Sequence, residues 1–201
     1  AYRFFAAAFD YPDEDLVQAI RAGELVETLR TLLGAASPGV IGEIDWEALA
    51  IAGGDDDLAV DYTRLFDVGV SGPPCSLYGG MYNSARMQTM EEAVRFYNHF
   101  GLTLSESPRE LPDHLTTELE FLHFLAYREA EAIEQGEDAG PFRRAQRDFV
   151  ERHPGRWVPE LRARLEKNEP PPFLRALVDS LARFLARDQA HLVGLVGPAP
   201  A

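Results

Sequence analysis

Asp113, His114 and Glu118 place two carboxyl groups and an imidazole within one short stretch, LPDHLTTELEFLHFL, from Leu111 to Leu125. These side chains do general acid–base chemistry and hold metal ions. His114 and Glu118 are four residues apart, so a helix would carry them on one face. His123 stands nine residues beyond His114, about half-way round a helix turning roughly 100° per residue. It therefore points away from them. Two histidines four apart around a glutamate, the zinc-hydrolase spacing, do not occur, and there is no cysteine cluster. Neighbouring Asp113 and His114 do not face each other on a helix, so they make no catalytic pair. No nucleophile elbow, P-loop or dinucleotide glycine motif is present. Binding groups are the favoured reading, with a metal site on His114 and Glu118 kept as the alternative.

A second set of candidates lies in the glycine- and proline-rich stretch 67–80. Leu77, Tyr78 and Tyr82 surround Gly79-Gly80, and tyrosines supply recognition surfaces with large, rigid contacts. The competing reading packs them onto the core. His153 and Trp157, four residues apart, read either as a pocket wall or as a corner where Pro154 turns the chain and Trp157 fills it.

The elements that must position these residues are helical. Pro112 suits a first helical turn and Asp113 would sit at the positive end of the dipole. Leu115, Leu119, Leu122 and Ala126 then recur at three- and four-residue spacing, broadened by Phe121, Phe124 and Leu125, which predicts a largely buried helix from Pro112 to Gln135, stopped by Gly136. Pro112, Asp113 and His114 would then stand at the mouth of a groove. Further helices are predicted over Tyr2 to Phe9, Asp13 to Ile20, Glu24 to Leu33 with a stop at Gly34, Trp46 to Ile51, and Asp57 to Phe66. Thr89-Met90-Glu91-Glu92 fits a capping box opening a helix that Gly101 closes. The last three run from Pro141 to Arg152 with a break at Pro154-Gly155, from Trp157 to Lys167, and from Phe173 to His191. No sustained period-two alternation predicts a strand. The expectation is one all-α domain, residues 1–201, of eight to ten helices, with a hinge loop near 67–80.

Composition narrows the function. Hydrophobic residues make up 46% of 201, enough for a core. No run of about 18 apolar residues could cross a membrane, and the first residues lack a secretory pattern. The one cysteine, Cys75, makes no internal disulfide, which predicts a reducing, cytoplasmic home. The net charge is −14, and residues 1–70 carry fourteen acids against four bases. Such a surface repels nucleic acid and anionic lipid and attracts basic partners. Part of that acidity serves solubility alone.

Four segments together resemble a known family. Asp61-Tyr62-Thr63-Arg64-Leu65-Phe66 precedes a Gly/Pro loop ending in Ser76-Leu77-Tyr78. Tyr97-Asn98-His99-Phe100-Gly101-Leu102 follows, then Leu111-Pro112-Asp113-His114-Leu115 with Glu118-Leu119-Glu120-Phe121. Phe149-Val150-Glu151-Arg152-His153 with Trp157-Val158-Pro159 completes the set. In this order, over roughly residues 57–165, they resemble the TorD/DmsD/NarJ-type chaperones that mature molybdenum oxidoreductases, within them the branch serving type II enzymes of the dimethyl sulfoxide reductase family.

The resemblance implies an all-helical, cytoplasmic, non-enzymatic protein with no cofactor of its own. Its partner would be the catalytic subunit of a molybdenum oxidoreductase, whose N-terminal twin-arginine leader it would bind until cofactor is inserted and export can proceed. It implies Pro112, Asp113 and His114 as peptide contacts. Leu77, Tyr78, Tyr82 and Glu118 join them on position alone. Family members occur as monomers or domain-swapped dimers, and loop 67–80 leaves both open. A basic-then-apolar leader independently suits an acidic rim around a helical groove. Two other readings stand beside it: a helical metal-dependent hydrolase built on His114 and Glu118, and a structural subunit of a redox complex.

Overall fold

A computed structural model describes residues 1–51, 53, 57–69, 72–83, 85–103 and 111–199. Among these lie nine α-helices: α1 (Tyr2–Ala8), α2 (Glu14–Arg21), α3 (Glu24–Ala36), α4 (Asp57–Tyr62), α5 (Arg86–His99), α6 (Leu115–Gln135), α7 (Gly140–Arg152), α8 (Pro154–Leu165) and α9 (Pro172–Val196). No strand occurs among the described residues; one isolated antiparallel bridge pairs Tyr78 with His114. The chain is all-α.

Local chemistry accounts for most helix ends. Asp13 caps α2, its carboxylate accepting from the Leu16 amide at 2.9 Å, with Glu14 and Asp15 in the first turn. Gly136 closes α6 in the left-handed region, φ 71°. Several boundaries moved from their expected places. Gly34 does not stop α3, which continues to Ala36 because the buried stripe Leu25, Leu29 and Leu33 carries the helix past it. Thr89 is not the cap of α5 but lies a turn inside it. Its hydroxyl donates to the Ala85 carbonyl and accepts from Asn83. Over Trp46 to Ile51 only the short turn Ala48–Ala50 is helical. The helix expected to reach Phe66 leaves α-geometry at Tyr62 and continues as one wide turn, Thr63–Asp67, closed by the Val68 amide on the Thr63 carbonyl at 3.0 Å. Of the acidic run Asp55-Asp56-Asp57, the first two residues fall outside the described residues.

Pro154-Gly155 separates two helices yet opens the second rather than ending in a loop. Proline is at home in a first turn, and a Cβ on Gly155 would lie 2.5 Å from the Val150 carbonyl oxygen. Only a glycine lets α8 follow α7 so closely.

α6 and α9 form the centre: α1 packs on α6, α7 on both, and α8 on α9. The buried cluster draws residues from all nine helices. Phe5 of α1 stacks on Phe184 of α9, centroids 5.7 Å apart, and Phe121 of α6 meets Phe149 of α7 at 4.7 Å. Stretch 67–80, expected as a hinge loop, is exposed at Asp67, Val68, Gly69 and Gly72 and packs against the core toward its end. Cys75, Ser76, Leu77, Gly79 and Gly80 are buried, and the Cys75 amide donates to the Leu65 carbonyl at 3.0 Å. Burial pushes the Cys75 thiol up to about 11, so little thiolate exists near neutrality.

Candidate functional site

Loop 76–82 decides where α6 begins. The Gly79 amide donates to the Asp113 carbonyl and the Leu115 amide to the Leu77 carbonyl, each at 2.8 Å. These bonds flank His114 and hold its backbone extended, at φ −74°, ψ 141°. A helix cannot start before that pairing ends. Pro112 and Asp113 therefore form a turn outside α6, and Leu115 rather than Pro112 is its first residue. His114 becomes the cap: its Nδ1 accepts from the Thr116 amide at 3.4 Å and lies 2.8 Å from the Thr116 hydroxyl.

Freed from the helix, Asp113 turns inward and is fully buried. Its Oδ2 accepts from the Gly80 amide at 2.9 Å. The Tyr97 hydroxyl donates to the Pro112 carbonyl at 2.7 Å, binding the same turn to α5. Gly80 has no room for a side chain, since a Cβ there would lie 2.6 Å from Arg86 Cγ and 2.8 Å from Asp113 Oδ2.

Glu118, in the first turn of α6, is also fully buried. Its Oε2 accepts from Trp157 Nε1 at 3.0 Å, and His153 Nδ1 lies 3.5 Å from Oε1. Burial raises the Glu118 pKa above the usual carboxylate range, and the imidazole and indole pull it partly back. The His153 ring stacks on Phe149 at 4.3 Å and meets the Phe96 edge at 5.7 Å. Asp113 Oδ1, Glu118 Oε1 and both His153 nitrogens are buried with no hydrogen-bond partner among the described residues. So many unsatisfied polar atoms in one small volume are costly.

The seven residues expected to touch a peptide thus form one connected cluster, but mostly beneath the surface. Leu77, Asp113, His114 and Glu118 are buried; Pro112, Tyr78 and Tyr82 are half-buried. Tyr78 meets the His114 ring edge-on at 4.8 Å. Tyr82 stacks on Trp157 at 5.2 Å, lies under the Arg164 guanidinium at 4.3 Å, and donates to the Ser76 carbonyl. Pro112, Asp113 and His114 do not stand at a helix mouth open to solvent; the loop covers them.

Sequence reasoning missed the partnership of Glu118 with His153 and Trp157. The four-residue spacing of Phe149, His153 and Trp157 marked the α7–α8 corner, but nothing local tied it to a carboxylate 39 residues before Trp157. His114 and Glu118 do not converge as metal ligands, since each turns to its own partner. No group of three metal-ligating side chains occurs among the described residues, and no helix there is long and apolar enough to cross a membrane.

Comparison with known proteins adds an independent line. The family model described as nitrate reductase delta subunit matches residues 21–163. The chain is 35% identical over 170 residues to the chlorate reductase assembly chaperone protein of Ideonella dechloratans, covering 84% of this chain and 76% of that one. It is 45% identical over 116 residues to the selenate reductase assembly chaperone protein of Thauera selenatis, covering 57% of this chain and 60% of the relative. Under two thirds of that relative is therefore spanned. In structure it is similar to a protein from Archaeoglobus fulgidus described as a redox enzyme maturation protein, with TM-score 0.53 and 22% identity over 92% of this chain and 91% of that one. That likeness speaks to fold alone.

Proposed function

Since this chain belongs to the nitrate reductase delta subunit family, the TorD/NarJ-type chaperones, we propose that it is a non-enzymatic assembly chaperone for a molybdenum oxidoreductase. The observation that carries this is its 35% identity, across most of both chains, to a chlorate reductase assembly chaperone. The finer reading is that it works in the cytoplasm as one folded unit, monomeric or domain-swapped. It binds the twin-arginine leader of the catalytic subunit and holds it until cofactor is in place.

Two features support leader binding. Asp10, Asp13, Glu14, Asp15, Glu24 and Glu27 are exposed in the acidic first third, a surface that draws cationic segments. Asp113 Oδ1 is a carboxylate oxygen without a donor, and a guanidinium satisfies such an oxygen well. In this reading loop 76–82 lifts, the leader arginine replaces the Gly80 amide on Asp113, and Tyr78 and Tyr82 pack the apolar run.

Titration calorimetry with a synthetic leader from the co-encoded catalytic subunit tests it. The expected result is a dissociation constant of about 1 μM or tighter, weakening as salt rises. Asp113→Ala should weaken binding about tenfold while the circular dichroism spectrum is unchanged. No heat and no binding by fluorescence anisotropy would overturn the reading. A melted Asp113→Ala variant would assign Asp113 to the fold alone.

A further inference from the structure

An open groove of about 760 Å³ lies between α5 and α7, lined by none of the seven residues of the cluster described above. Its apolar lining is Phe96, Phe100, Pro141 and Ala145. Arg95, Arg144, Arg147 and Arg152 also line it, with Glu92 and Asp148 as the acids. Those acids are already engaged: Glu92 pairs with Arg152 at 3.3 Å and Asp148 with Arg147 at 2.7 Å. Arg147 is further held by the Gly197 and Pro198 carbonyls. Arg95 and Arg144 are exposed and make no ion pair among the described residues.

A second depression of about 420 Å³, lined by Met87, Met90, Glu91, Val94 and Arg95, joins the first at Arg95. Met87 is 66% exposed, and flexible methionines suit surfaces that accept varied apolar side chains. The outer face of α5 therefore runs from an apolar, Met-lined half to an aromatic-floored half with two unpaired guanidinium groups.

We propose that this α5–α7 face is a second docking surface, for an acidic protein segment bearing large apolar side chains. Charge complementarity commits it to that occupant: across both depressions four arginines face Glu91, Glu92 and Asp148, a surplus of one positive charge on a chain of net −14, with Arg95 and Arg144 free to take carboxylates. Arginines pair with carboxylates in a fixed fork, while the phenylalanine floor and the methionines take the apolar anchors. The inference rests on the chaperone reading only for its source, a stretch of the client outside the leader. A chaperone with two electrostatically opposite surfaces grips leader and body separately.

The test uses the full chain and a fluorescein-labelled peptide, Glu-Glu-Phe-Glu-Glu-Leu-Glu-Glu-Phe-Glu, followed by anisotropy, with the same peptide carrying Lys for Glu as control. The expected result is salt-sensitive binding of the acidic peptide alone, weakened about tenfold or more in Arg95→Glu/Arg144→Glu. Both residues are exposed, so the fold should persist; if that variant fails to fold, Arg95→Gln/Arg144→Gln replaces it and should weaken binding in the same direction. No binding, equal binding of the lysine peptide, or an unaffected variant each overturns the inference. Leader titrations on the same proteins separate the two readings. Acidic-peptide binding without leader binding sinks leader recognition and leaves this surface standing, and the reverse sinks this surface alone.

Discussion

Asp113 and Glu118 are both fully buried carboxyl groups, yet they do different work. Asp113 ties loop 76–82 to the start of α6 through one backbone amide. Glu118 joins α6 to the α7–α8 corner through Trp157 and His153. Because burial raises the Glu118 pKa in the folded state, its contribution is fully present below the ordinary carboxylate range. It is lost as pH rises through the raised value, since the unfolded chain gives up that proton first. Glu118→Gln keeps an acceptor for the indole and offers an amide donor to His153. In urea denaturation across pH 4 to 8, wild type should therefore lose stability relative to Glu118→Gln as pH increases. A constant gap between the two across that range would show that Glu118 does not titrate differently on folding. Glu118→Ala leaves the indole N–H unpaired and a void, and should cost about 2–4 kcal/mol.

At the scale of elements, the molecule depends on close approaches that tolerate no extra atom. Loop 76–82 reaches the α6 start because Gly79 and Gly80 carry no Cβ; one on Gly79 would lie 2.7 Å from Trp157 Nε1. Gly80→Ala should lower stability by about 1–3 kcal/mol through strain, read as a lower urea midpoint with unchanged slope. The α5–α6–α7 contact rests on an aromatic cluster with Phe149 at its centre, touching Phe96, Tyr97, Phe121 and His153. Phe149→Ala should cost about 3–5 kcal/mol. If that loss is below about 1 kcal/mol, the cluster does not hold α7 in place. The α6 boundary belongs to this scale too: proline chemistry allowed a start at Pro112, and pairing with the loop delayed it to Leu115.

For the whole molecule the dominant quantity is charge. A net −14 on 201 residues repels itself in the folded state. Raising salt from about 10 mM to about 0.15 M shortens the screening length from about 30 Å to about 8 Å. The melting temperature should rise by a few degrees over that interval. A fall would mean that the surface ion pairs, such as Arg183 and Arg187 on Glu43, outweigh the general repulsion. The same charge lies unevenly: acid crowds the first third, while two guanidinium groups without an ion pair among the described residues, Arg95 and Arg144, stand on the α5–α7 face.

What the amino-acid order determined by itself was the all-helical class, the approximate position of most helices, and the family. Each depends on neighbours a few positions away, as with Asp13 capping α2 or Gly136 closing α6. Tertiary structure decided which of the candidate site residues are seen by solvent and which partners they take. Whether Asp113 starts a helix or turns inward depends on an amide 33 residues earlier, and Glu118 is defined by an indole 39 residues later. No periodicity encodes such distances, because they are set by how helices pack and not by how each one forms.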